Sequence, residues 1–218
     1  RFPATRVYHL SNGADTDIFR PGVEASPLRE KLGRGVIGIY AGLHGLAQGL
    51  DQVLRAFQRL DEVDGLKIAF FGDGPLKGEL MQQAQQLANV RFFDPLPHSE
   101  MPALLAGADF CIVSLGLSLP GAVPSKLYEA MSCGRPVLLV ADGEAADIVR
   151  AHDCGLVVPP GDVEGIAQAL RRLATDAELR QRLGSNGRVA ALIHFDHSRI
   201  VDEFEKYLVR NLNPEGMS

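Results

Sequence analysis

DFCIVSLGLSLPGAVPSKLYEAMSCGRPVLLVA, residues 109–141, decides the fold. It opens on DFCIVSL, a short continuous apolar run that reads as a buried strand. SLPGAVP then breaks the pattern with Pro and Gly. SKLYEAMS has helical spacing, with Leu127, Ala130 and Met131 turned toward a core and Ser125 in the position of an N-cap. PVLLVA is a second buried run. Strand, loop, helix and strand make a βαβ unit, and strands apolar on both faces belong to a parallel sheet covered on both sides.

The same alternation repeats outward in both directions. VIGIYAG (36–42), LKIAFFG (66–72), VRFF (90–93) and GLVVPP (155–160) bring the strands to six. Helical periodicity is expected over 47–60, over 76–88 behind Pro75, in a short helix capped by His98 or Ser99, and over 143–152. Three further helical pieces follow from Asp162, which caps the first, and NPEGMS is a tail expected to fray. RFPATRVYHLSNGADTDIFRPG reads as a connector rich in turn residues, with a short helix before Arg34. The expectation is therefore an α/β protein: a Rossmann-like parallel sheet of about six strands with helices on both faces. It spans 35–195, between a connector (1–34) and a C-terminal helix and tail (196–218).

Composition narrows the function. The 218 residues carry a net charge of −5 and 6% aromatics. With no basic stripe and no interleaved aromatics, a nucleic-acid partner is not expected. No apolar run reaches the roughly 18 residues of a membrane span, and the start has no apolar leader core. The chain lacks an initiator Met. We expect a fragment of a longer, cytoplasmic protein. Cys111, Cys133 and Cys154 form no CxxC pair and read as small buried apolar groups. HFDH (194–197) offers too few ligands for a metal. No Ser-His-Asp or Cys-His arrangement emerges.

Ligands in open parallel sheets bind beyond the carboxyl ends of the strands, where the unusual residues here collect. Lys126 is the most telling. It is a cation at the end of a helix that already presents partial positive charge. Glu129 lies about 60° away around the helix, but Lys before Glu is the weaker order, and Glu129 is one residue too late for a capping box. An anion explains the pair better: the free N–H groups and Lys126 would hold a diphosphate, while Glu129, an acceptor one turn deeper, would hold two ribose hydroxyls. A solvated surface pair is the plainer alternative.

The loop Gly42-Leu43-His44-Gly45-Leu46-Ala47-Gln48-Gly49 also suits phosphate, with His44 and Gln48 as donors. Its spacing fits neither G-x-G-x-x-G nor the P-loop, and a tight turn accounts for it as well. Asp73, in Gly72-Asp73-Gly74-Pro75, is either a ligand contact or, preferably, the cap of the next helix. Asp94-Pro95-Leu96-Pro97 frees backbone groups that either meet a base edge or only turn the chain.

Five segments, in order, resemble the C-terminal, donor-binding half of a GT-B glycosyltransferase of the large retaining group that includes glycogen synthases. They are SNGADTDIFRP, YAGLHGLAQGLDQVLRAF, FFGDGP, VRFFDPLPHSEMPALLAGADFCIVSL and PSKLYEAMSCGRPVL. The resemblance implies that Ser125 and Lys126 meet the donor diphosphate and Glu129 its ribose. Leu96 would approach the base through its backbone, and Gly42 would border the phosphates. It implies a nucleotide-diphosphate sugar as substrate, no cofactor, and an acceptor domain outside this chain. HGLAQGL with AVPSK is similar to a bacterial O-antigen and capsule branch, which implies a UDP-sugar, a lipid-linked or saccharide acceptor, and peripheral contact with the inner face of the cytoplasmic membrane. The chain departs from the family in three places. Leu43 and Gln48 stand where the family loop carries Arg and Lys, and Gly121 stands where an acid eight residues before Glu129 contacts the sugar. Lys126 is then left as the catalytic cation, stabilising the leaving diphosphate. Rival readings are a sugar-nucleotide epimerase of the same fold and a non-catalytic nucleotide-binding module.

Overall fold

A computed structural model describes residues 8–24, 26–60, 65–117 and 121–212. The first seven connector residues, three residues of the 115–124 loop and the expected frayed tail lie outside the described residues.

Six strands form one parallel sheet: β1 (Val36–Ala41), β2 (Leu66–Phe71), β3 (Val90–Phe93), β4 (Phe110–Ser114), β5 (Val137–Val140) and β6 (Gly155–Val158). Their order is β3-β2-β1-β4-β5-β6. The pairing Gly38↔Ile68 sets β1 on β2, and Gly38↔Phe110 sets it on β4. Strand order therefore reverses between β1 and β4, the switch point at which a crevice opens.

The helices are α1 (Leu28–Leu32), α2 (Leu50–Phe57), α3 (Lys77–Gln83), α4 (Met101–Ala106), α5 (Ser125–Ser132), α6 (Glu144–Ala151), α7 (Val163–Thr175), α8 (Ala177–His194) and α9 (His197–Leu212). Because the central strands are apolar on both sides, two cores form. Ile37, Ile39, Phe71, Val113 and Leu139 face α4, α5, α6 and the end of α8. Ile68, Phe70, Phe110, Ile112 and Leu138 face α2, α3, α7 and the start of α8. Edge strand β3 is held from both faces by stacked ring pairs, Phe70 with Phe92 at 4.9 Å and Phe71 with Phe93 at 4.6 Å. The Rossmann-like expectation holds.

Helix ends depart from it. The second helix starts at Leu50 rather than Ala47, because Gly49 at φ 55° ends a 3₁₀ turn over Leu46–Gln48. Pro75 sits in the turn before α3, not at its first position, and α3 stops at Gln83. Neither His98 nor Ser99 caps α4: they form a 3₁₀ turn behind Pro97. Asp162 does cap α7, accepting the Gly165 N–H at 2.8 Å.

The connector is fastened to the far end of the chain. Ala14 N–H donates to Phe195 O at 2.9 Å, and His197 N–H donates to Ala14 O at 3.1 Å. The Thr16 hydroxyl donates to Asp196 Oδ2 at 2.6 Å. Phe19 is buried beside them. Asp196 of HFDH is thus a structural acceptor, which also takes the Arg199 N–H at the start of α9.

Candidate functional site

A cleft of about 420 Å³ opens at the carboxyl ends of β1 and β2. Ala41, Gly42, Phe71, Gly72 and Asp73 form its floor side, and Leu96, His98, Met101 and Lys126 line it from the later loops. The cleft is positioned by backbone contact between the glycine loop and the GDG turn. His44 N–H donates to Asp73 O at 2.8 Å, and Leu76 N–H donates back to His44 O at 2.9 Å. Gly72 lies at φ 140°, and a Cβ there would collide with Gly42 O. Only glycine allows so close an approach.

The far end of the loop is pinned to β4. Ser114 Oγ donates to Gln48 O at 2.6 Å, and Gly116 N–H donates to Ala47 O at 2.7 Å. The loop therefore bridges the switch point, from the tip of β1 to the tip of β4.

Helix α5 brings Lys126 to the cleft. Its opening differs from the N-cap expectation: Pro124, in extended conformation, holds the cap position, and Ser125 is the first helical residue with no side-chain cap bond. Leu127 N–H already reaches Pro124 O at 3.0 Å, so the first turn closes one residue earlier than the Ser hydroxyl implied. Lys126 is the second helical residue, and its Nζ lies 3.2 and 3.1 Å from the two carboxylate oxygens of Glu129. The two partners differ in burial: 36% of the Lys126 side chain is exposed against 7% for Glu129. The carboxylate lies behind the cleft wall, and the ammonium is the partner that reaches the wall itself.

Of the sequence candidates, Gly42, Asp73, Leu96 and Lys126 line the cleft, while His44, Gln48, Ser125 and Glu129 do not. His44 lies under the loop, fully buried, among Tyr40, Phe70 and Phe92 at ring distances of 5.9, 6.4 and 5.9 Å. Both of its ring nitrogens lack a partner among the described residues, as does Gln48 Oε1. Burial, then the nearby charge of Lys77, holds His44 below the usual imidazole range, with Asp73 pulling the other way. Asp73 does not cap α3. Its carboxylate accepts the adjacent Gly74 N–H at 2.8 Å, leaving Leu76 at the cap position.

Sequence reasoning gave no ligand role to His98 and Met101, which the cleft includes. The loop DPLPHSE was the available signal, but His98 looked like a cap. Lys77 is a further cation near the cleft, engaged with Phe93 O at 3.2 Å and Asp94 Oδ1 at 2.9 Å. The three cysteines are buried and free, and burial pushes Cys133 and Cys154 up to about 12, so they are thiols rather than nucleophilic thiolates. Among the described residues no cluster of three His, Cys, Asp or Glu is placed to hold a metal. No helix among them is long and apolar enough to cross a membrane.

Comparison with known proteins gives the arrangement its context. The family model described as "Glycosyl transferases group 1" matches residues 30–190. A sulfoquinovosyl transferase of Arabidopsis thaliana is 29% identical over 192 residues, covering 85% of this chain and 36% of that protein. A GDP-mannose-dependent alpha-(1-6)-phosphatidylinositol monomannoside mannosyltransferase of Mycobacterium tuberculosis is 29% identical over 198 residues, covering 85% and 51%. The chain thus spans about half or less of these relatives. Among solved structures, Anabaena HepE in complex with UDP-glucose is similar with a TM-score of 0.78 at 21% identity, covering 92% of this chain and 57% of that one.

Proposed function

The chain belongs to the glycosyl transferases group 1 family, and from that premise we propose that it holds the nucleotide-diphosphate sugar of a larger glycosyltransferase. The observation that carries this reading is Lys126: a partly exposed ammonium on the second residue of α5, on the wall of a cleft of about 420 Å³ at the strand tips. A diphosphate there meets the free N–H groups of the first turn and a full positive charge. Lys126 then stabilises charge as it develops on the leaving nucleotide diphosphate. In this reading the amine and the helix end supply that positive charge, so no bound cation is required.

Glu129 enters when the amine turns to the phosphate. Freed from its partner, the buried carboxylate accepts hydrogen bonds from the ribose hydroxyls one turn deeper. Leu96 and the backbone of the Asp94–Pro97 turn meet the base. The His44 ring nitrogens and Gln48 Oε1, buried without hydrogen-bond partners among the described residues, reach the phosphates only if the loop shifts.

We assign the whole protein to transfer with retention, from a UDP-sugar to a lipid-linked or saccharide acceptor in bacterial surface-polysaccharide synthesis, at the inner face of the cytoplasmic membrane. The similar fold of HepE, solved with UDP-glucose, supports UDP, while the mycobacterial relative is named for GDP-mannose. Calorimetric titration with UDP, GDP and ADP therefore decides the base.

The test of the site is Lys126→Ala. Losing a charge-assisted contact is expected to weaken UDP about tenfold to a hundredfold. Unchanged affinity in a variant that still folds would remove the diphosphate site. The chain alone is expected to bind nucleotide and transfer nothing, and sugar transfer by the isolated chain would overturn that division of labour. Conversion of UDP-N-acetylglucosamine to an epimeric sugar without acceptor would instead identify the epimerase.

A further inference from the structure

A second cavity, about 540 Å³, lies at the opposite end of the strands, where β4 and β5 begin. Arg135, Arg180 and Arg188 line it, together with Gln181, Ser185 and Asp109. Its one acid among the described residues, Asp109, is engaged: it accepts from Arg29 at 2.7 Å and from the Ile37 N–H at 2.8 Å. None of the three cavity arginines has a carboxylate partner among the described residues.

Each does cap a helix end. Arg135 Nη2 donates to Ala106 O of α4 at 2.6 Å, and Arg180 Nη1 to Leu173 O of α7 at 2.6 Å. Arg188 Nη1 donates to Ser132 O of α5 at 2.9 Å and to two connector carbonyls, Thr16 O and Phe19 O. These contacts account for one nitrogen of each guanidinium. They do not balance the charge: three helix ends offset about half a charge each, leaving roughly 1.5 positive charges on the cavity wall. Arg135 Nε is buried with no acceptor among the described residues, an unpaired donor that a folded protein normally satisfies.

We propose that this cavity is a second anion site, for a phosphoryl group. Guanidinium forks from three chain positions suit a tetrahedral oxyanion better than a single planar carboxylate. The Ser185 hydroxyl and Gln181 amide, both exposed on the same face of α8, supply neutral donors at the rim. The site lies at the opposite end of the strands from the Lys126 cleft, so it does not hold the donor diphosphate and does not depend on that assignment.

The test is calorimetric titration of the full chain with inorganic pyrophosphate, beside flotation with phosphatidylcholine vesicles with and without phosphatidic acid. Ser185→Glu places a carboxylate at the rim without removing a cap, and Arg180→Gln removes one guanidinium. Each is expected to weaken pyrophosphate binding by about tenfold or more, while UDP affinity stays unchanged. Soluble binding lost in both variants assigns a free phosphorylated ligand. Flotation with phosphatidic acid alone, lost in both variants, assigns a lipid headgroup. Pyrophosphate and vesicle binding that neither folded variant alters, or no binding of either probe, overturns the site.

Discussion

Lys126 has two partners to choose between, and the choice sets what the site can do. In the structure the amine rests 3.1 Å from Glu129. Removing it strips a buried carboxylate of its counter-ion, so Lys126→Ala combines weaker nucleotide binding with some loss of stability. Lys126→Arg separates the two effects: it keeps the charge, and is expected to restore melting while recovering only part of the affinity, because the larger fork does not fit the same geometry. Parallel thermal and calorimetric measurements check this. His44 yields an independent prediction. Its folded-state proton affinity lies below the ordinary value of 6.5. The unfolded chain therefore binds the proton more readily, and stability present above about pH 6.5 is lost as pH falls below it. His44→Leu should flatten that acid-side loss and raise Tm, since it also removes two buried ring nitrogens without partners. Denaturant melts at pH 7.5 and 5.5 test the difference, and equal acid sensitivity in both proteins would contradict it.

Among the elements, strands were legible and corners were not. Apolar runs such as VIGIYA and VLLV left no other reading, because a strand buried on both faces has no polar position to mislead. The cap of α7 was equally plain, since Asp162 stands alone before a periodic helix. The errors fell where backbone met backbone. Asp73 looked like a cap because sequence cannot show that Gly74 N–H already holds its carboxylate. Ser125 looked like a cap because Pro124, which lacks a capping hydroxyl, took the position through its fixed φ. Lys126 was found by its conflict with the helix dipole, a local signal. The burial of His44 beneath its loop depends on strands far away in sequence. The glycine corner gives the prediction at this scale. Gly72→Ala forces a side chain into φ 140° and against Gly42 O, and should cost about 2 kcal/mol or more, with nucleotide binding lost alongside. Gly78→Ala, on α3 with open space around it, is the control expected to be neutral or stabilising.

Seen whole, the molecule is polar along its strands. The carboxyl ends carry the Lys126 cleft, and the amino ends carry the three arginines. The connector and the α8–α9 junction close the structure at one corner, where Ala14 and Asp196 form an isolated parallel bridge. Asp196 loses some solvation there, but the Thr16 hydroxyl and backbone N–H groups outweigh that and lower its proton affinity below the usual 3.8. Its contribution is thus present above about pH 3.8 and disappears as acid protonates it. Asp196→Asn should imitate that loss at neutral pH. A protease such as thermolysin would then make its first cuts between residues 11 and 24 or near 197, while the sheet survives as a resistant fragment. That clasp is where a tug on either terminal segment would be felt by the other, because a seam of two backbone hydrogen bonds and one carboxylate governs how firmly the connector and α9 travel together.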